Sequence, residues 1–157
     1  MEKKSILNLR NTKIAQLGFV FKDIEAQAKI MEDLYGMPKF SMRPPLEITG
    51  EYRGNQTKYS TKLALSRCFN VQIELIQWIE GDTIHKEFLE QNREGLHHIS
   101  IIVEDLDSFI QKMANLNIHK IQEVYSGKKI HLAYFDTEMP LGFILEAQEI
   151  VKRKRKK

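Results

Sequence analysis

The stretch REGLHHISIIVEDLD (Arg93–Asp107) decides the fold of this chain. It reads as a strand that follows a glycine turn and runs into an acidic helix start. Two adjacent histidines, His97 and His98, open the strand. Neighbouring side chains of a strand point to opposite faces, so the two histidines are expected to face different environments. His97 shares its face with aliphatic residues that should pack on a helix, which leaves His98 on the opposite face.

An earlier stretch of the chain, Lys13–Gly36, repeats this pattern. When Gln16 is placed on His98, further pairs align: Leu17 with Ile99, Val20 with Ile102, Asp23 with Asp105, Met31 with Met113 and Leu34 with Leu116. Each copy predicts a strand followed by a helix, and the two aspartates are natural helix N-caps. Gly36 is a typical residue for ending the first helix.

Each copy continues into further strands, which predicts an α+β protein made of two tandem βαβββ modules. The predicted parts are an N-terminal extension (1–12), a first module (13–80), a connecting helix (81–94), a second module (95–150) and a basic disordered tail (151–157). The first module is ten residues longer, because Gln16 to Glu74 spans 58 positions and His98 to Glu146 spans 48. The proline-rich segment MPKFSMRPPLEITG (Met37–Gly50) favours an extended loop, and the extra residues are expected as a loop within Ser41–Gln56.

The last strand of each module carries one acid among apolar residues: Glu74 in VQIELIQ and Glu146 in LGFILEAQ. A carboxylate is costly to bury without a partner. If the modules pair around a pseudo-two-fold axis, Gln16, Glu74, His98 and Glu146 can converge. An amide oxygen, two carboxylates and one imidazole suit a six-coordinate divalent ion such as Mn, Co, Ni, Mg or Zn. The alternative is that hydrogen bonds or an Arg or Lys partner satisfy the same groups without a metal.

The connecting segment GDTIHKEFLEQNREG predicts a short helix capped by Asp82 or Thr83. Its apolar residues Ile84, Phe88 and Leu89 should be buried, and His85 is expected on the helix surface.

Composition excludes several classes of protein. The chain has 157 residues, 42% of them hydrophobic and 29% charged, as in an ordinary soluble domain. Its single cysteine, Cys68, rules out an intramolecular disulfide, and neither a signal peptide nor a membrane span is recognisable. We therefore expect a cytoplasmic protein with no membrane partner. The tail KRKRKK carries six positive charges against a total of +3, so the body is slightly acidic and no nucleic-acid partner is expected.

Paired βαβββ modules with EGLHHISIIVEDLD, QIELIQ and LGFILEAQ resemble the vicinal oxygen chelate superfamily over roughly residues 13–148. Within it, GDTIHKEFLEQNREGLHHI is most similar to methylmalonyl-CoA epimerases. The resemblance implies a paired, curved mixed sheet and carries the family's metal ligands onto Gln16, Glu74, His98 and Glu146. Epimerases usually have a histidine at the position of Gln16, and a Gln–Glu–His–Glu set is instead similar to one class of glyoxalase I.

The resemblance implies a metal-dependent isomerase that moves an α-proton next to a thioester carbonyl through a metal-stabilised enediolate. It favours Glu146 as the catalytic base, and Glu74 is expected to serve the opposite face of the same carbon. The alternatives are a glyoxalase I-like lyase acting on a thiol adduct and a non-catalytic small-molecule-binding member of the superfamily. A homodimer is expected, since two-module members of the family often associate in this way.

Overall fold

A computed structural model describes residues 7–126 and 130–150 as eight strands and four helices. The first half contains β1 (Ile14–Val20), α1 (Ile24–Tyr35), β2 (Ser41–Tyr52), β3 (Asn55–Cys68) and β4 (Val71–Glu80). Helix α2 (Ile84–Glu90) then leads to β5 (Gly95–Val103), α3 (Leu106–Asn115), β6 (Lys120–Ser126), β7 (Ile130–Phe135), α4 (Glu138–Leu141) and β8 (Ile144–Ile150). The predicted basic tail and residues 1–6 of the predicted extension lie outside the described residues. Within the described ranges, no helix is both long and apolar enough to cross a membrane.

The eight strands form one closed, strongly curved mixed sheet in the order β1-β4-β3-β2-β6-β7-β8-β5. Strands β1 and β4 pair in parallel, as do β5 and β8, and the other pairs are antiparallel. The two halves join at β1–β5 and at β2–β6, so the modules pair within one chain. The predicted α+β fold with a paired, curved mixed sheet is confirmed.

Each half has its own apolar core beneath one helix. Ile24 and Ala28 of α1 pack on Ile73 and Leu75 of the first half. In the second half, Leu106 and Met113 of α3 pack on a matching set: Ile101, Ala133, Phe135, Leu145 and Ala147. The helices therefore cover the outer face of the sheet, which leaves the inner face free for polar groups.

The predicted helix ends are confirmed by the cap geometry. The Asp23 carboxylate accepts from the backbone N–H of Ala26 at 3.0 Å, and the Asp105 carboxylate accepts from that of Ser108 at 2.8 Å. Gly36 ends α1 with a left-handed backbone (φ 63°), which glycine adopts without steric cost.

The prediction of a loop over Met37–Gly50 is wrong from Ser41 onward, because this segment forms most of strand β2. Pro44 and Pro45 fall at an irregularity in the β2–β3 register, between Arg43 and Leu46, where proline does not interrupt a regular ladder. The extra length of the first half lies in this hairpin: β2 and β3 have 12 and 14 residues, whereas β6 and β7 have 7 and 6.

A bulge changes the expected direction of His97. In the β1–β5 pair, Gly18 lies opposite His98 but Phe19 lies opposite Leu96, so His97 is the extra residue. A β-bulge re-aims a side chain in this way. Instead of packing on α3, His97 is buried against Phe88 of α2, with ring centroids 5.0 Å apart. The expectation that His97 packs on the helix of its own module is therefore wrong, whereas His98 lies beside the two carboxylates on the inner face.

Candidate metal centre

The inner face of the β1–β5 pair carries a pseudo-two-fold relation between the modules. Leu17 lies opposite its repeat partner Ile99, and Gln16 and His98 follow on either side of this pair. The next strands outward are β4 beside β1 and β8 beside β5, and these carry Glu74 and Glu146. The architecture thus presents equivalent positions of the two modules to one interior space.

His98, Glu74 and Glu146 converge directly. The Nε2 atom of His98 lies 3.5 Å from Oε2 of Glu146 and 3.7 Å from Oε2 of Glu74. The His98 side chain is completely buried. Burial alone lowers the pKa of His98, but the charges of Glu146 and Glu74 outweigh this effect and the pKa is raised.

Gly18 makes room for the His98 imidazole. A Cβ atom at position 18 would lie 2.0–2.5 Å from three atoms of this ring. Such distances are far below van der Waals contact, so any side chain here would displace the imidazole. The absence of a side chain at Gly18 is therefore a condition for the position of His98.

Gln16 reaches the same group through another glutamine. Its Oε1 accepts from Nε2 of Gln148 at 2.6 Å, and its own amide donates to Gln72. Ser100 Oγ, at 2.9 Å, and the Glu146 carboxylate lie within hydrogen-bond distance of the same Gln148 NH2 group, whose two N–H bonds are shared among the three acceptors. Gln16 thus belongs to the polar cluster, but a second amide stands between it and Glu146.

The donor set fits a divalent cation. Nitrogen and oxygen ligands of one ion with bonds of about 2.0–2.2 Å lie roughly 3 Å apart at right angles. Each carboxylate lies 3.5 or 3.7 Å from His98 Nε2, but the oxygens of Glu74 and Glu146 that face this atom are more than 4.8 Å apart, so a shared ion would draw the two carboxylates together. Within residues 7–126 and 130–150, this Nε2 is buried and has no hydrogen-bond partner, which suits an atom that awaits a ligand. Gln16 could add its oxygen if it released Gln148.

A cavity of about 150 Å³ lies against this cluster. Gln16, Glu74, Glu146 and Gln148 form its polar wall. The rest of its lining is largely aliphatic and comes from both modules: Leu46, Ile48, Leu63, Ile76, Val124, Ile130 and Leu132. Ligand pockets usually enclose roughly 300–1,000 Å³, so this space has room only for a small group.

Helix α2 contributes a histidine to the cavity, which makes the prediction of a surface position for His85 wrong. His85 is 4% exposed and lines the cavity. Burial, and then the charge of His98, lowers its pKa to about 3, so His85 is neutral near pH 7. Thr83 holds the N-cap position but makes no side-chain cap, since its hydroxyl donates to Gln122 at 3.0 Å.

Two further residues of the site were absent from the sequence prediction. Gln148 follows Glu146 by two positions on the same strand face, and this alternation was a usable signal. Tyr134 lies opposite Glu146 in the β7–β8 pair and lines the cavity. Burial, and then the charges of Glu146 and Glu74, raises its pKa, so its hydroxyl stays protonated. No sequence pattern pointed to it.

Comparison with solved structures finds several proteins with a similar fold. A hypothetical protein from Bacillus halodurans C-125 has a TM-score of 0.65 at 17% identity, covering 93% of this chain and 99% of that one. A methylmalonyl-CoA epimerase from Mycobacterium tuberculosis has a TM-score of 0.60 at 14% identity, covering 89% of both chains. A variant of the Streptomyces coelicolor methylmalonyl-CoA epimerase, in complex with 2-nitronate-propionyl-CoA, has a TM-score of 0.64 at 17% identity, covering 90% and 99%. At these identities the likeness shows the fold alone.

The sequence itself assigns the family. No curated protein sequence matches the chain. The profile of the Glyoxalase/Bleomycin resistance protein/Dioxygenase superfamily matches residues 15–135, which include both copies of the repeat. With this match and the closed mixed sheet described above, the chain belongs to the Glyoxalase/Bleomycin resistance protein/Dioxygenase superfamily, the vicinal oxygen chelate proteins.

Proposed function

We propose that the protein is a metal-dependent epimerase that removes and returns the proton on the carbon next to a thioester carbonyl. The observation that carries this proposal is the placement of two carboxylates, Glu74 and Glu146, within 3.7 Å of one buried imidazole nitrogen. They belong to opposite modules and come from strands on opposite sides of the β1–β5 pair. Inversion of a carbon centre needs a proton acceptor on one face and a donor on the other.

Gln16, Glu74, His98 and Glu146 would hold the divalent ion. When bound, the ion supplies Lewis-acid stabilisation of the negative charge that develops on the carbonyl oxygen. A carboxylate has two oxygens, so each glutamate can use one oxygen as a ligand and keep the other for the proton.

The two glutamates differ in environment. The Glu146 side chain is 2% exposed, and Glu74 is 13% exposed. We assign Glu146 as the base that takes the α-proton, and Glu74 as the acid that delivers a proton to the other face. The aliphatic lining of the cavity would exclude water from the carbanion-like carbon, and the neutral Tyr134 hydroxyl could orient Glu146.

Deuterium exchange tests the assignment. In D2O with Co²⁺, the protein should incorporate deuterium at the α-carbon of methylmalonyl-CoA and interconvert its epimers, as followed by NMR. E146Q and E74Q should each lose epimerisation, by about 10²-fold or more. Each variant should retain exchange from one epimer only, because one face keeps its carboxylate.

Glu80 provides the matched control, since it is an exposed acid near the end of the same strand as Glu74. E80Q should behave as the unsubstituted protein. Undiminished exchange in E146Q would remove Glu146 from the mechanism. Turnover of a hemithioacetal without exchange on any acyl thioester would favour the glyoxalase-type alternative.

One observation favours a non-catalytic binding protein as the second candidate. The Gln148 amide lies among oxygens of Gln16, Ser100 and Glu146, where its two N–H bonds can satisfy two of them at a time without a metal. Calorimetric titration with Mn²⁺, Co²⁺, Ni²⁺, Zn²⁺ and Mg²⁺ after chelator treatment separates the two candidates. Binding of none of these ions would favour the non-catalytic protein.

A further inference from the structure

Three histidines form a buried cluster next to the carboxylates. His85 of α2 and the adjacent His97 and His98 of β5 are 4%, 3% and 0% exposed. One ring nitrogen from each lies within 4.8 Å of the other two. We call these three residues the histidine cluster.

The nitrogens of the histidine cluster are poorly satisfied. Across the described ranges 7–126 and 130–150, the Nε2 atoms of all three residues are buried without a hydrogen-bond partner. The Nδ1 atoms of His97 and His98 lie 3.0 Å apart, and Nδ1 of His85 is 3.4 Å from the Thr83 hydroxyl. Leaving a buried polar atom without a partner is unfavourable. Nε2 of His98 faces the two carboxylates, so the case for the histidine cluster rests on the mutual approach of one nitrogen from each buried ring.

The spacing suits a metal ion. Imidazole nitrogens around a tetrahedral zinc ion, with bonds of about 2.0–2.1 Å, lie roughly 3.3 Å apart. The Nδ1 atoms of His97 and His98 already have nearly this separation. His85 would have to move toward them, and since it also lines the cavity, an ion can enter from that side.

We propose that the histidine cluster is a second metal site, selective for a late first-row ion such as Zn²⁺. Neutral imidazoles favour zinc or copper, whereas the oxygen-rich set of Gln16, Glu74 and Glu146 favours manganese or magnesium. The carboxylates across the His98 ring, 3.5 and 3.7 Å from its Nε2, supply the negative charge that a buried cation needs.

The two metal sites exclude one another, a consequence that rests on the proposed function. The carboxylate site uses Nε2 of His98, and the histidine cluster uses its Nδ1. A neutral imidazole has a lone pair on one nitrogen and a proton on the other. His98 therefore serves one ion at a time, and zinc in the histidine cluster would displace manganese from the carboxylate site.

X-ray absorption spectroscopy on the full chain loaded with one equivalent of Zn²⁺ tests the proposal without any substitution. We expect a first shell with three imidazoles. A shell with a single imidazole and several oxygens would place zinc at the carboxylate site and overturn the proposal.

Variants give a second, independent readout. H97F and H85Q should each lower Zn²⁺ affinity at least tenfold and leave Mn²⁺ affinity within about twofold. E74Q should lower Mn²⁺ affinity at least tenfold and leave Zn²⁺ affinity within about twofold. H119A is the matched control, because His119 is exposed and should affect neither ion. Equal loss of zinc affinity in E74Q and H97F would contradict a separate site.

The outcomes distinguish the two proposals. Three imidazoles in the first coordination shell of zinc would support the histidine cluster. If no added metal ion gave α-proton exchange in the same protein, the epimerase proposal would be rejected while the histidine cluster stood. Circular dichroism checks that each variant is folded. If a variant is not folded, the X-ray absorption spectrum of the unsubstituted protein with Zn²⁺ decides between the two sites.

Discussion

Gly18 shows how one missing side chain can position a candidate ligand. It lies opposite His98 across the junction of the two modules, and a Cβ atom there would overlap the imidazole. Glycine in a strand often marks such a close approach. The cost of a weaker strand is offset by space for a buried histidine between two carboxylates.

Replacing Gly18 by alanine should therefore destabilise the protein by about 1–3 kcal/mol through overpacking. The same substitution in an H98A background should cost much less, because the overlapping ring is gone. Urea unfolding of the four proteins gives the coupling energy. Additive effects of the two substitutions would contradict the steric explanation.

His85 gives the metal-free protein a defined pH dependence. Its pKa is lowered by burial, and then by His98, from 6.5 to about 3. Between these values the unfolded chain binds a proton that the folded chain does not. The free energy of unfolding should therefore fall as pH falls from 6.5 toward 3, by up to about 1.4 kcal/mol per pH unit for this group.

The H85F variant should show a shallower decline over this range, as measured by urea unfolding in the presence of chelator. H119F, at an exposed histidine, should keep the original slope. An unchanged slope in H85F would mean that His85 is not buried in the neutral form.

At the scale of elements, matching irregularities in β1 and β5 shape the site. Ile14 and Gln16 pair with successive residues of β5, so Ala15 between them has no partner in that strand. Its repeat partner His97 likewise has no partner in β1. The repeat has thus preserved a bulge in both copies, but only the second copy places a histidine there. This difference makes the histidine cluster one-sided in a molecule that is otherwise nearly two-fold symmetric.

Helix α3 offers a test of local stability, because its start depends on the Asp105 carboxylate. The backbone N–H of Ser108 holds the pKa of this carboxyl below its usual 3.8. D105A should lower the thermal midpoint of unfolding near pH 7, and D105N, which keeps an acceptor, should lower it less. Because the pKa is lowered on folding, the contribution is present above 3.8 and disappears as pH falls through the folded value. The deficit of D105A should accordingly shrink toward that of an uncharged cap as pH falls below 3.8, and a deficit that does not change with pH would contradict a charge-dependent cap.

At the scale of the whole molecule, neither module closes the sheet without the other. The junctions β1–β5 and β2–β6 both join different halves, and the cavity takes its lining from each. A single chain therefore completes the candidate site. The expected homodimer would not be needed for metal binding, and light scattering can determine whether it forms.

Splitting the chain between α2 and β5 tests this interdependence. Fragments 1–92 and 93–157 should each lack native circular dichroism, because each exposes unpaired strand edges. When they are mixed, the native spectrum and metal binding should return. A second fragment carrying E146Q should restore the spectrum but bind metal more weakly. Native structure in either fragment alone would show that one module folds independently.

By itself, the sequence determined the repeat, the helix ends at Asp23, Gly36 and Asp105, and the faces of Gln16, Glu74 and Glu146. These features depend on local periodicity and on side chains that bond to their own backbone, which the order of residues states directly. Tertiary structure alone decided that Ser41–Tyr52 is a strand, that His97 turns inward at a bulge, and that His85 is buried. Each of these depends on a partner distant in the chain. Strand β3 pairs with Ser41–Tyr52 and leaves an irregular register at the prolines, and β1 has no residue opposite His97. His85 is buried because α2 packs against the sheet.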